Sequence, residues 1–327
     1  MASSKDEASS TPATWRLDRD SIPRVRYRVS HTTTYSYDAD VTNSFGIANV
    51  TPRELPHQHV EKAEVQVTPA PADQSTDVDF YGNTVTYFQV LEPHQLLEIT
   101  AASEVDVITP IYDETSFDQP WERARPLVDP SLPGAWRSTD LAVASPLVEH
   151  TQEAYDFAAV SLTQGRGIVA AAEDLMHRIH AGFDYDDTAT TVTSTIPEIF
   201  EAEGGVCQDF AHLMLACFRA HGLAARYVSG YLATTPPPGK PRLVGADASH
   251  AWVEVWVPHY GADLSGAGTG QWLALDPTND TRADDRYVSV AWGRDYADVP
   301  PVKGVIYTEA TTSTLTVSVD VAPDQQE

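Results

Sequence analysis

Cys207 stands where a thiol can serve as a nucleophile. Gly204-Gly205-Val206 leads into it, a glycine-permitted turn, and its polar neighbours Gln208 and Asp209 follow. From there Phe210, Leu213, Met214, Cys217 and Phe218 recur at the i, i+3, i+4, i+7, i+8 spacing of a core-facing helix, which His221 and Gly222 close. Cys207 therefore falls in the first turn of the predicted helix, where unpaired N–H groups and the positive end of the macrodipole stabilise a thiolate. Cys217 lies on the apolar stripe with no polar feature beside it and reads as an inert core residue.

Two further residues supply what a thiol needs. The run 248–257 alternates with period two, setting His250, Trp252, Glu254 and Trp256 on one face of a strand that begins near His250. After a glycine-rich stretch from Gly261 to Gly270, a second short strand runs from Gln271 to Asp276 and stops at Pro277. If the two strands form a hairpin, Asp276 comes beside His250, holds one ring N–H and leaves the other nitrogen to the thiol. Taken singly, a histidine opening a strand is more often a surface residue and a carboxylate before proline a turn former. Together, and in this order, the three residues make a Cys-His-Asp nucleophilic set.

The stretches Gly205-Val206-Cys207-Gln208-Asp209-Phe210-Ala211-His212, Ala224 to Tyr231, Asp247 to Trp252 and Asp276-Pro277-Thr278-Asn279 resemble the bacterial and archaeal transglutaminase-like proteins of the papain-like thiol-enzyme superfamily. Tyr35-Ser36-Tyr37, Pro52-Arg53 and Asp79 to Asn83 are similar to the β-rich domain that precedes such cores. The resemblance implies an α+β chain: an N-terminal antiparallel β-sandwich, then a papain-like core in which a Cys-bearing helix packs on an antiparallel sheet. It further implies Cys207 as nucleophile, His250 as base and acid, and Asp276 as orienting carboxylate. The expected chemistry is acyl transfer on a peptide or protein amide through a thioester, with water favoured as the acceptor because no acidic calcium loop of the EF-hand type is evident. Transfer to a lysine amine, as in a transglutaminase, is the alternative, and a non-enzymatic binding module on the same fold is a third. Around the three residues, Asp209 is expected to orient the helix start, Trp252 to shield the His-Asp pair or fill the core, and Tyr185 to offer a second oxyanion donor beside the Cys207 N–H.

Composition narrows the setting. Acidic residues outnumber basic ones 47 to 21, for a net charge of -26, so the surface repels phosphate backbones and anionic lipid; neither nucleic acid nor membrane is an expected partner. High salt would screen such self-repulsion, which suggests a chain adapted to a saline cytoplasm. The first ten residues are polar, no apolar run approaches a bilayer span, and two cysteines ten residues apart on one helix cannot pair, so a reduced, cytoplasmic location is expected. None of the 11 histidines shows HExxH or CxxC spacing, and no glycine-rich nucleotide loop follows a strand, so no metal or cofactor is expected.

The elements that must position these residues divide 327 residues into an acidic tail over 1–22, a β-sandwich over 23–110, a proline-rich connector over 111–150 and a catalytic core over 151–327. Strands are predicted for 24–37, 60–67, 84–90 and 96–108, with Gly82-Asn83 as a hairpin signal. In the core, Ile168 to Ile179 reads as an amphipathic helix, Phe183 to Asp186 as extended, and Pro197 as the opening of a short helix through Glu203. Strands follow at 226–233, 242–245, 286–291 and, from the alternation of Leu315, Val317, Val319 and Val321, near the end; the stiff loop Pro236 to Pro241 is a candidate rim of the cleft.

Overall fold

A computed structural model describes residues 23–126, 138–234, 249–259 and 270–324. The acidic tail, the proline loop at 236–241, the strand expected at 242–245 and most of the glycine-rich stretch lie outside the described residues.

The chain opens with β1, Val25–Ala48, in which Tyr27, Val29, His31 and Thr33 are buried while Arg28 and Ser30 are exposed. That alternation makes one face of the strand a core face. It is followed by β2 (Gln58–Thr68), β3 (Asp73–Val78), β4 (Thr84–Val90) and β5 (His94–Val107), joined in an antiparallel sheet of order β2-β5-β1-β4-β3. The strand β1 is long because it serves two half-sheets. Its first half pairs with β5 from Val25 to Ser36, its second with β4 from Ser44 to Ala48, and the register shifts between Ser36 and Val41. A bend at such a shift lets one sheet fold over on itself, as in sandwiches whose corner strands change layer. The two halves enclose a shared core of Val41, Val67, Phe88, Val90, Leu97 and Ile99.

After 3-10 turns at Glu114–Ser116, Trp121–Ala124 and Asp140–Ala142, the second region begins with α1 (Gln152–Ala159) and α2 (Ile168–Gly182). There follow β6 (Asp184–Tyr185), α3 (Ile196–Ala202), β7 (Gly204–Gly205) and α4 (Cys207–Ala220). Next come β8 (Ala225–Leu232), β9 (Ser249–Pro258), β10 (Gly270–Asp276), β11 (Thr281–Arg282) and β12 (Tyr287–Gly293), an antiparallel sheet of order β11-β10-β9-β8-β12. The α+β class and a Cys-bearing helix lying on an antiparallel sheet are what the structure has.

Helix α4 is not half-exposed. Every residue from Gln208 to Arg219 is buried, because the helix packs on β8 and β9 and also against α1, α2 and α3. Most of its polar atoms are accordingly partnered: Arg219 donates to the carbonyls of Leu141, Ala225 and Arg294 and to the Ser145 hydroxyl, and the amide of Tyr296 donates to His212 Nε2, while His212 Nδ1 and Asp209 Oδ1 are buried without a partner. Buried polar groups without such bonds would cost about 1–3 kcal/mol each.

The final strands, β13 (Val302–Thr308) and β14 (Ser313–Pro323), return to β1. The sequence alone grouped these residues with the segment from 151 onward; β13 pairs with the second half of β1 and β14 with the first, completing seven strands. The two regions are further joined at Gln58, which donates to the Ser289 carbonyl and accepts from the Ser289 amide, and at Asn83, which exchanges two bonds with the Trp292 backbone. No helix among the described residues is long and apolar enough to cross a membrane.

Candidate active site

The approach to Cys207 is held from two sides. Asp184-Tyr185 and Gly204-Gly205 form a parallel pair, with the Asp186 amide donating to the Gly205 carbonyl at 3.0 Å. From inside the helix, Asp209 Oδ2 accepts from the Val206 amide at 2.8 Å and from the Thr190 hydroxyl at 2.6 Å. A Cβ on Gly205 would fall 2.6 Å from that same oxygen, so glycine is required by close approach. Asp209 thus ties the helix start to the loop before it, and burial pushes its carboxyl up, opposed by Thr190 and Val206. Gln208 donates to the Val192 carbonyl at 3.0 Å and fixes the same loop. Cys207 itself is partly exposed while the rest of the helix is covered. Helix geometry leaves the N–H groups of Cys207 and Gln208 without an acceptor four residues back.

The hairpin of β9 and β10 carries the other two residues, but not in a direct cross-strand pair. Leu275 lies opposite Val253, and that register runs on to set Asp276 across from Trp252, diagonal to His250. Diagonal neighbours on one face remain within reach of long side chains. His250 Nε2 donates to Asp276 Oδ2 at 2.7 Å, and His250 lines the same cleft as Cys207. With Nε2 engaged, Nδ1 is the nitrogen left for sulfur.

Asp276 is fully buried and its lone pairs are filled. Oδ2 also accepts from Asn279 Nδ2 and the Tyr287 hydroxyl, each at 2.7 Å, while Oδ1 accepts from the amides of Thr278 at 2.9 Å and Asn279 at 3.3 Å. Burial alone would raise this carboxyl; the bonds from His250, Asn279 and Tyr287 outweigh it and hold it below the usual carboxylate range. For His250 burial works toward the neutral ring, and the bonds to Asp276 and Cys207 overcome it, pushing the imidazole up to about 10.

Trp252, 1% exposed, covers this pair: its ring lies 6.2 Å from that of His250 at an interplanar angle of 28°, and Tyr287 meets its face edge-on at 5.3 Å. It belongs to the small buried cluster with Val228, Ala274 and Tyr287. Tyr185 is 64% exposed and does not line the cleft; its backbone supports Gly205, and burial with the nearby Cys207 and Asp187 raises its phenol. Cys217 is fully buried, which pushes its thiol up strongly.

Cys207 and His250 open onto a cleft of about 250 Å3 whose opposite wall is the first sheet, with His31, Thr33 and Tyr35 of β1 and Leu315 and Val317 of β14. The His31 ring contacts the Tyr231 hydroxyl and the Thr33 hydroxyl, each at 3.0 Å, and burial lowers it to about 4. Among the described residues no group of three His, Cys, Asp or Glu side chains is arranged to hold a metal ion. Thr190, Asn279 and Tyr287 were given no role from sequence. Asn279 stood in the Asp-Pro-Thr-Asn turn, where a hydrogen-bonding side chain is a readable signal. Tyr287 left none, being one apolar position on an alternating strand.

Residues 158–277 match the transglutaminase-like superfamily and residues 27–106 the bacterial transglutaminase-like N-terminal region. An uncharacterized protein of Mycobacterium tuberculosis is 47% identical over 301 residues, 91% of this chain and 93% of that protein. The chain belongs to the transglutaminase-like superfamily. A Pseudomonas aeruginosa protein named protein-glutamine gamma-glutamyltransferase is 31% identical over 116 residues, 35% of this chain and 16% of its own length. Among solved structures, a candidate cysteine protease from Cytophaga hutchinsonii shares the fold with a TM-score of 0.66 at 16% identity, covering 92% of this chain and 98% of that one.

Proposed function

We propose that the chain is a thiol-dependent acyl-transfer enzyme acting on peptide or protein amides. The observation that carries the reading is the His250–Asp276 contact of 2.7 Å, with His250 and Cys207 lining one open cleft. Cys207 Sγ attacks the amide carbonyl carbon, forming a C–S bond, while the Cys207 N–H donates to the developing oxyanion. The C–N bond breaks as His250 gives its Nδ1 proton to the departing amine, leaving a thioester and a neutral ring. Asp276 holds Nε2–H throughout. Water then attacks the thioester carbon and loses a proton to His250; the C–S bond breaks, the acid leaves and Cys207 is left as the thiolate beside the protonated ring. Tyr287 and Asn279 act as positioning residues, because they keep Asp276 ionised and aimed.

Release to an amine is a second reading, favoured by the gamma-glutamyltransferase name of the Pseudomonas relative. The two share the first half-reaction and differ only in the acceptor. Iodoacetamide is expected to label Cys207 selectively, with the rate lost in His250→Ala; equal, slow labelling of both cysteines in the folded protein would return the chain to a binding role. Incubation with a glutamine-containing peptide library, with and without a primary amine, separates the acceptors by product mass: hydrolysed product with the amine present supports water, and amine adducts support transfer.

A further inference from the structure

The sheet face that lines the Cys207 cleft runs out to an edge strand. Strand β14 pairs with β1 on one side, with Leu315 opposite Tyr35 and Val317 opposite Thr33, and among the described residues no strand pairs with its other side over 313–319. Leu315 is 58% and Val317 47% exposed, yet both line the cleft that holds the thiol. Edge strands are ordinarily protected by charge, proline or a bulge, since a bare row of N–H and C=O groups recruits another strand. Ser313-Thr314-Leu315-Thr316-Val317-Ser318-Val319 has none of these protections, in a chain of which 21% is charged.

We propose that this edge is the docking strand for the acyl donor: an extended polypeptide segment adds to β14 along 313–319, sets alternate apolar side chains against Leu315, Val317 and Tyr35, and so delivers a backbone or side-chain amide to Cys207. The proposal rests on the acyl-transfer reading. It adds the substrate class, an unfolded or extended segment with alternating apolar residues, and assigns the first sheet and the C-terminal strand a direct part in binding. Main-chain bonds would supply affinity and the alternate side chains selectivity.

The test uses fluorescent octapeptides of alternating valine and threonine with one central glutamine, bound to full-length Cys207→Ala and followed by anisotropy. In an added strand every second N–H faces the partner. N-methylation of one parity of amides is therefore expected to weaken binding at least tenfold, and of the other parity less than twofold. Leu315→Lys should weaken the unmethylated peptide similarly, with its circular dichroism and melting temperature close to those of the parent. Loss of binding that ignores parity, or no binding of the unmethylated peptide, overturns the proposal. A dimer in analytical ultracentrifugation that Leu315→Lys dissolves would give the edge to a second copy and overturn it too. The two readings fail separately: wild-type protein that forms no acyl-enzyme while the parity pattern holds refutes catalysis alone, and acyl-enzyme formed without parity dependence refutes strand addition alone.

Discussion

Replacing Asp276 by Asn removes one charge and exchanges one carboxylate oxygen for an NH2 group, and the consequences can be worked from the contacts. The carboxylate is fully buried and accepts from His250, Asn279, Tyr287 and two backbone amides. Asp276→Asn keeps an oxygen for the amides of Thr278 and Asn279 but turns a donor toward Nε2, so the ring holds its proton on Nδ1 and loses the counter-charge of its imidazolium. Breaking a buried ion pair by removing one partner costs about 3–5 kcal/mol. If that loss falls on the charged ring, at about 1.4 kcal/mol per decade kcat/KM drops about two to four orders of magnitude. The pH profile should move as well. With His250 raised to about 10, the alkaline limb of kcat/KM in the parent lies near that value, because above it the ring has no proton for the leaving amine. In Asp276→Asn the limb falls toward 6.5, the ordinary value for the ring. Peptide hydrolysis and iodoacetamide labelling, both measured from pH 5 to about 11, give the two profiles. A variant with parental kcat/KM and an unmoved alkaline limb would refute the role of Asp276.

Gly205→Ala puts a Cβ 2.6 Å from Asp209 Oδ2, so the melting temperature should fall, by overpacking of about 1–3 kcal/mol, and labelling of Cys207 should slow; an unchanged melt and rate would refute the constraint. His31 is buried with its folded value lowered to about 4, so it contributes stability that is present above 6.5 and lost as pH falls toward 4. Urea melts of His31→Gln should accordingly lose stability less steeply than the parent across that window, by up to about 1.4 kcal/mol per pH unit, and parallel slopes would be against it. A net charge of -26 predicts a melting temperature that rises from low to molar KCl, where the screening length shrinks to about 3 Å. Equal melts in the two conditions would remove the case for salt adaptation.

Much of the site could be read before any fold was known, for local reasons. The Gly-Gly approach and the apolar spacing after Cys207 announce a helix start, and a helix start is defined by residues within a few positions of each other. The same holds for β9 and β10, whose alternation and flanking proline bring His250 and Asp276 onto one face. Tyr287, by contrast, bonds to Asp276 from β12, a strand that the sheet order places beyond β8 and β9 from Asp276's own strand and that no local pattern links to it. The full burial of α4 likewise comes from distant segments: Leu141, Ser145, Ala225, Arg294 and Tyr296 cover its polar positions Arg219 and His212, while α1, α2 and α3 pack against it as well.

The sequence by itself determined which residues could react, where α2, α3, α4 and most of the strands form, and the charge the molecule carries, since these depend on composition and short-range periodicity. Tertiary structure alone decided that β14 joins β1, that His31 and Leu315 line the cleft with the thiol, and that Tyr287 reaches Asp276 from another strand. Period-two alternation tells a strand which face to bury and says nothing about which strand it will lie beside.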